Sequence, residues 1–289
     1  MARELTLDIP GLELAAVAYG PEDGRRVLAL HGWLDNAASF APLAPLLDDC
    51  HVVCLDLAGH GRSQHRAAHA GYHFIDWIPD VIAAADALGW ERFTLMGHSM
   101  GAAIASLTAG TYPDWVDRLI LIDGLAPMST EPHDVPGTLR RFIDQQRRLT
   151  FKTPKPYPNA EVMVDRLNRV VDDLTPETAA LIVSRALTQV EGGVTWSYDN
   201  RLRRTSSMRF SQAHVDAFLS AVQAPTLFVR PRDGIPIPPE LIDRAVQLLG
   251  DVQVFKMDGK HHAHMDSPGE VAEAIRRFLE MNSIAKEKR

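Results

Sequence analysis

The residues with the clearest chemical content are five in a row, Gly97-His98-Ser99-Met100-Gly101. A serine hydroxyl has negligible nucleophilicity near neutral pH and becomes useful only when a base removes its proton. The spacing Gly-x-Ser-x-Gly suits a sharp strand-to-helix turn, in which residues two either side of the serine must lack bulk. The flanks fit, because residues 93–96 read as a strand and residues 100–112 as a helix of small residues. Ala102 and Ala103 keep the start of that helix narrow. A helix N-terminus also favours negative charge developing beside Ser99. The bland alternative is a Gly-Ser turn without chemistry; the strand before, the helix after and partners elsewhere favour catalysis.

Acyl transfer needs two N–H donors aimed at the oxygen that becomes negative. The amide of Met100, directly after the serine, is one. The loop His31-Gly32-Trp33, which ends an apolar run at residues 27–30, offers the amide of Trp33 as the second, with Leu34 as the alternative. For the base a histidine is the natural choice. Of the twelve in the chain, His261, His262 and His264 follow the last strand-like run, residues 252–257. The stretch His262-Ala263-His264-Met265-Asp266 also matches an H-x-H-x-D metallo-hydrolase pattern. That kind of site needs further ligands and another fold around it, so no metal is assigned. No Gly-x-Gly-x-x-Gly or Walker-type loop occurs, and no cofactor is expected.

Positioning these groups requires a frame. Strand-like runs at 13–19, 27–30, 52–55, 93–96 and 119–122 alternate with helical spacing at 39–47, 74–88 and 100–112. Pro79 puts a kink or a late start in the second of these helices. From Met128 to about Ala221 no β-like run is visible; Pro-rich breaks around residues 152–158 separate amphipathic stretches at 162–174 and 176–187. The β/α rhythm then returns with strands at 226–229 and 252–257 and helices at 239–249 and 269–281. Such alternation implies a parallel sheet covered on both faces. The tail from Lys286 to Arg289 is expected to fray.

Residues 27–125 and 222–281 resemble the α/β-hydrolase family. The resemblance is carried by His31-Gly32-Trp33, by Asp56-Leu57-Ala58-Gly59-His60-Gly61-Arg62-Ser63, by the Ser99 turn and by the histidine loop. It implies an α/β-hydrolase fold, with a mostly parallel central sheet flanked by helices and a helical cap insertion. Residues 1–127 and 222–289 would form the core and residues 128–221 the cap. In this family the catalytic histidine commonly lies seven residues before a proline that opens the last helix; counting back from Pro268 gives His261. The acid often follows the first strand after the cap in a G-x-x-D-x-x-x-P pattern. Aligning on Pro238 puts Gly234 in that place, with Asp233 one residue away. Other members carry the acid at the end of the strand before the cap, where Asp123 stands. Asp123 is therefore the expected orienter of His261, Asp233 the alternative, and a loop-capping role for Asp123 the structural reading. Residues 122–127, 196–203 and 261–265 are similar to the serine-hydrolase-like branch.

The formal net charge of −7 argues against a nucleic-acid partner. Hydrophobic residues at 46 % and charged residues at 23 % suit a sizeable globular core. Cys50 and Cys54, four apart on one strand, are too far apart for an unstrained disulfide and read as buried free thiols. With no apolar signal core at the start and no membrane span, a cytoplasmic location is expected. The expected activity is hydrolysis of small to medium carboxylic esters through an acyl-enzyme on Ser99, with a small-molecule ester as partner and a homodimer left open. The alternatives are a C–C bond or lactone hydrolase using the same triad, and a non-catalytic ligand-binding protein. Reactions that need an aspartate nucleophile are excluded by Ser99. Trp33, Phe40, Met100 and Met128 are candidates to line an acyl pocket, or plain core. Asp199 and Arg201 could pin the cap to the core; Arg140-Arg141, Arg147-Arg148 and Arg203-Arg204 read as solvated faces.

Overall fold

The computed structural model of the chain describes residues 2–149, 156–171 and 173–287. In chain order, β1 (Arg3–Ile9) and β2 (Leu12–Tyr19) form a hairpin, followed by β3 (Arg25–Leu30), β4 (Cys50–Leu55) and α1 (Trp77–Ala87). Next come β5 (Phe93–His98), α2 (Met100–Thr111) and β6 (Val116–Ile122). A segment follows with α3 (Val135–Leu149), α4 (Ala160–Val170), α5 (Pro176–Arg185), β7 (Leu187–Val190), β8 (Gly193–Trp196) and α6 (Gln212–Ser220). The chain ends with β9 (Thr226–Asp233), α7 (Pro239–Leu249), β10 (Val252–Lys260), α8 (Ala263–Asp266) and α9 (Pro268–Glu287).

Among the described residues the main sheet has eight strands in the order β1-β2-β4-β3-β5-β6-β9-β10. From β4 onward every neighbouring pair is parallel; β1–β2 and β2–β4 are antiparallel. This is the mostly parallel, helix-flanked sheet of an α/β-hydrolase fold. The central strands β4 and β5 are buried throughout, as near-continuous apolar runs must be when both faces are covered. Alternate residues serve opposite faces. Leu28 and Leu30 join Val81, Ile104 and Val215 on one side, whereas Val27 and Ala29 join Phe40, Ile275 and Phe278 on the other. The helix α6 lies so near α2 that a methyl at Gly110 would sit 2.3 Å from the Phe218 carbonyl oxygen.

Several elements differ from the sequence reading. The stretch taken as free of strands contains the β7–β8 hairpin, which pairs as its own two-stranded sheet. The region 39–47 forms two short 3₁₀ turns rather than one helix. Pro79 falls in the first turn of α1, where its missing N–H costs nothing, so the helix starts late and is not kinked. The Pro-rich break at 152–155 and the last two tail residues lie outside the described residues. Cys50 and Cys54 are buried free thiols. No helix among the described residues is long and apolar enough to cross a membrane.

The segment between β6 and β9 is fastened to the sheet's loops by buried polar contacts. Arg185 Nε donates to both oxygens of Asp56 at 3.0 and 2.9 Å, and Asn36 Nδ2 donates to the Ile182 carbonyl at 2.8 Å. Asp56 also accepts the amides of Ala37 and Arg62, so its carboxylate is fully engaged although wholly buried. Asp199 accepts from Tyr72 at 2.9 Å, and Arg201 donates to the carbonyls of Ala67 and Ala70, so this pair is no solvated turn.

His60 is wholly buried between His31 and Trp77, and its Nε2 has no hydrogen-bond partner among the described residues. Burial pushes its pKa from 6.5 down to about 3. The unfolded chain takes up a proton near pH 6.5 and the folded chain only near 3, so stability is full above pH 7 and drains away as the pH falls between those values. For His60 alone the loss by pH 5 is about 2 kcal/mol. Denaturant titrations at pH 8 and pH 5 test this: a His60→Phe variant should lose distinctly less stability between the two than the wild type. An equal loss in both would refute the assignment.

Candidate active site

Parallel strands place their C-terminal ends along one edge, and the loops leaving β3, β5, β6 and β10 meet there. Ser99 follows β5 directly and opens α2 with φ 52° and ψ −114°, a left-handed conformation that a non-glycine residue adopts only under constraint. The constraint is local crowding. A Cβ on Gly97 would lie 2.3 Å from the Gly101 carbonyl oxygen, and one on Gly101 would lie 2.0 Å from that of Leu30. Both flanking glycines are therefore required by contact. The Ser99 amide donates to the Ile122 carbonyl at 3.0 Å, which fixes the turn against the end of β6.

Asp123 is the next residue beyond β6 and also has positive φ, at 42°. Its amide donates to the Val229 carbonyl at 2.9 Å, anchoring it to β9. Its side chain is only 3 % exposed, and Oδ2 lies 2.6 Å from His261 Nδ1 while accepting the Ile235 amide at 2.9 Å. Gly234 explains the departure noted in the sequence. A Cβ there would come within 2.4 Å of both Asp123 carboxylate oxygens, so the glycine leaves room for the acid arriving from β6. Asp233 is exposed at the end of β9.

His261 leaves β10 with its side chain 24 % exposed. Its carbonyl lies 3.0 Å from Nε2 of His98, the neighbour of Ser99, and the two rings are 4.5 Å apart between centroids. A methyl at Gly124 would touch the Ser99 backbone, with its oxygen at 2.6 Å. Thus the turn of Ser99, the carboxylate of Asp123 and the imidazole of His261 form one cluster.

The loop after β3 carries the remaining expected groups. His31 is buried, with Nδ1 2.7 Å from the Gly32 carbonyl and Nε2 accepting the Leu57 amide at 3.0 Å. Burial holds its pKa down, so it stays neutral and clamps this loop to the end of β4. Leu34 takes φ 64°, turning the chain sharply after Trp33. The amide of Met100 opens α2, where the first N–H groups have no partner within the helix. The indole of Trp33 is half exposed and donates to the Leu202 carbonyl at 3.1 Å. Phe40 is core, and Met128 is 74 % exposed.

Behind the cluster of Ser99, Asp123 and His261 lies a group that sequence reasoning missed. His262 Nδ1 is 2.8 Å from Asp173 Oδ2, and its Nε2 is 3.3 Å from Asp35 Oδ2. Burial acts to lower its pKa, but the two carboxylates more than reverse this and raise it to about 10. Burial likewise acts to raise Asp35, and His262 beside it holds the carboxyl well below its ordinary range. Burial lowers His98 to about 4 and takes His264, wholly buried, well below its ordinary value. Thus His262 stands apart from its histidine neighbours, and His262-Ala263-His264-Met265-Asp266 does not converge as one unit. Nothing local could have revealed Asp35 or Asp173, which come from distant parts of the chain.

Comparison with known proteins bears on the family and the fold. A family model described as the alpha/beta hydrolase fold matches residues 25–268. A serine hydrolase-like protein of Danio rerio is 30 % identical over 98 % of this chain and 90 % of its own length. The human serine hydrolase-like protein 2 is 31 % identical over 96 % of this chain and 94 % of its own. The crystal structure of a hypothetical protein from Pseudomonas aeruginosa PAO1 superposes with a TM-score of 0.91 at 40 % identity, covering 96 % of this chain and 99 % of that one. The chain belongs to the alpha/beta hydrolase fold family, in its serine-hydrolase-like branch.

Proposed function

We propose that this chain cleaves small to medium carboxylic esters through an acyl-enzyme on Ser99. The observation that carries the reading is the 2.6 Å contact between His261 Nδ1 and Asp123, beside a serine held in a strained turn. With the Nδ1 proton directed to Asp123, Nε2 of His261 carries the lone pair that a general base needs. Ser99 Oγ attacks the ester carbonyl and its proton passes to His261. The amides of Trp33 and Met100 receive the oxyanion. His261 then protonates the departing alcohol, and a water deprotonated by the same imidazole attacks the acyl-enzyme, releasing the acid and restoring Ser99.

In this reading residues 128–221 act as a cap on a body made of residues 1–127 and 222–289. The Arg185–Asp56 and Asn36–Ile182 contacts support that role, because they hold the segment against the loops after β4 and β3. A cap there limits water at the acyl-enzyme and shapes the acyl pocket. Esters are preferred over C–C bonds on the ground that the triad needs no further group for them; lactones, being cyclic esters, need none either and are separated by experiment. A panel of p-nitrophenyl esters, lactones and diketones separates these substrates.

A fluorophosphonate probe should label the folded wild type at Ser99 and leave Ser99→Ala unlabelled; a folded wild type that never forms the adduct would contradict catalysis. Asp123→Asn should lower kcat by about 10³–10⁴-fold. Asp233→Asn should stay within about twofold of wild type. Exchanging the acid's position, with Asp123→Gly and Gly234→Asp together, should recover part of the loss relative to Asp123→Asn. A severe loss in Asp233→Asn with none in Asp123→Asn would reverse the assignment.

A further inference from the structure

Asp35, His98 and His262 take no part in the steps above, yet two separate loops and the end of β5 bring them together. His262 Nε2 is 3.3 Å and His98 Nδ1 3.7 Å from Asp35 Oδ2, and the three atoms all lie within 4.8 Å of one another. Ligands about 2.1 Å from a tetrahedral ion stand about 3.4 Å from each other, so the triangle is close to the size a metal requires.

Each imidazole has its outer nitrogen already engaged. His98 Nε2 faces the His261 carbonyl at 3.0 Å, and His262 Nδ1 faces the Asp173 carboxylate at 2.8 Å. Metal-binding histidines are held in this way: the far N–H donates to a carbonyl or carboxylate, which turns the near nitrogen's lone pair inward. The consequence for His98 is specific. Its Nδ1 is wholly buried without a hydrogen-bond partner and faces a carboxylate oxygen beyond hydrogen-bond range. Two acceptors in that relation repel; the His262 imidazolium relieves this from one side, and an ion in its place would relieve it between all three atoms. The space between them is also kept clear by Gly32, because a methyl there would lie 2.9 Å from Asp35 Oδ2 and 3.0 Å from His98 Nδ1.

We propose that Asp35 Oδ2, His98 Nδ1 and His262 Nε2 form a binding site for a divalent transition metal of the zinc type. Two imidazoles with one carboxylate suit zinc or its neighbours and do not suit calcium or magnesium, which take oxygen ligands. Three protein ligands leave a fourth position for water. On binding, the ion replaces the proton between His262 and Asp35, and that proton leaves to solvent. The ligands come from the loop bearing Trp33, the residue before Ser99 and the residue after His261. The ion therefore braces the frame of the active site from behind.

The test uses the full chain, stripped with a chelator and titrated with Co²⁺. One Co²⁺ per chain should bind with the visible absorption of a four-coordinate ion and be displaced by Zn²⁺, and Zn²⁺ should raise Tm. Asp173→Asn, which weakens the contacts that orient His262, should weaken binding about 10–100-fold. The double variant Asp35→Asn/His262→Gln should abolish the Co²⁺ band, whereas Ser99→Ala should bind like wild type, so the fate of the esterase reading does not decide this one. No band in a folded wild type, or a band that survives the double variant, overturns the proposal. Should the double variant fail to fold, anomalous diffraction at the zinc edge from wild-type crystals decides. A peak among the three named atoms supports the site, and zinc found only at other positions overturns it.

Discussion

A carboxylate with almost no access to water is costly to bury unless donors face it, and two donors face Oδ2 of Asp123. His261 Nδ1 and the Ile235 amide both face its Oδ2, at 2.6 and 2.9 Å. Removing either would leave a buried charge short of a partner, a large cost on the scale of a domain's net stability. The contact also directs the imidazole's Nδ1 proton, so folding energy and, in the proposed function, chemical competence rest on the same pair. The rest of the architecture can be read as what is needed to bring Asp123 and His261 together. Strand β6 delivers the acid, β10 delivers the histidine, and β9 lies between them and contributes Gly234, whose missing side chain makes the crossing possible.

Ser99 depends on similar crowding. Its positive φ is tolerated because Gly97 and Gly101 let α2 start against the Leu30 and Gly101 carbonyls. Any side chain at those glycines would push the helix away from β3 and β5, and with it the amide of Met100. The loop after β3 is held by different means, with His31 clamping it to β4 and Asn36 reaching α5. The segment 128–221 is thereby linked through side chains to the loop that follows β3. Polar contacts with so little solvent around them specify one arrangement more sharply than apolar packing would.

What was legible in the sequence follows from range. Strands β3 to β6 could be read because full burial forces continuous apolar runs, and the Ser99 turn because its requirements are met within five residues. Asp123 was legible only indirectly, because the glycine at 234 in the acid's usual place points to the end of β6. The β7–β8 hairpin was hidden because Leu187–Val190 is mostly exposed and carries no alternation to see. The 3₁₀ turns near residue 40 show helical spacing without helical length. The group around His262 was out of reach, since Asp35 lies 227 positions away and Asp173 lies 89, and no local pattern records such a meeting. Trp33 and Met128, read as pocket walls or core by residue type, are half and largely exposed.

The most direct measurement is a crystal structure of the wild-type chain carrying a phosphonate on Ser99. The account predicts the phosphoryl oxygen between the amides of Trp33 and Met100, with His261 Nε2 about 3 Å from an oxygen on the phosphorus and Nδ1 still on Asp123. An imidazole turned toward Asp233, or a phosphoryl oxygen pointing away from both amides, would contradict it.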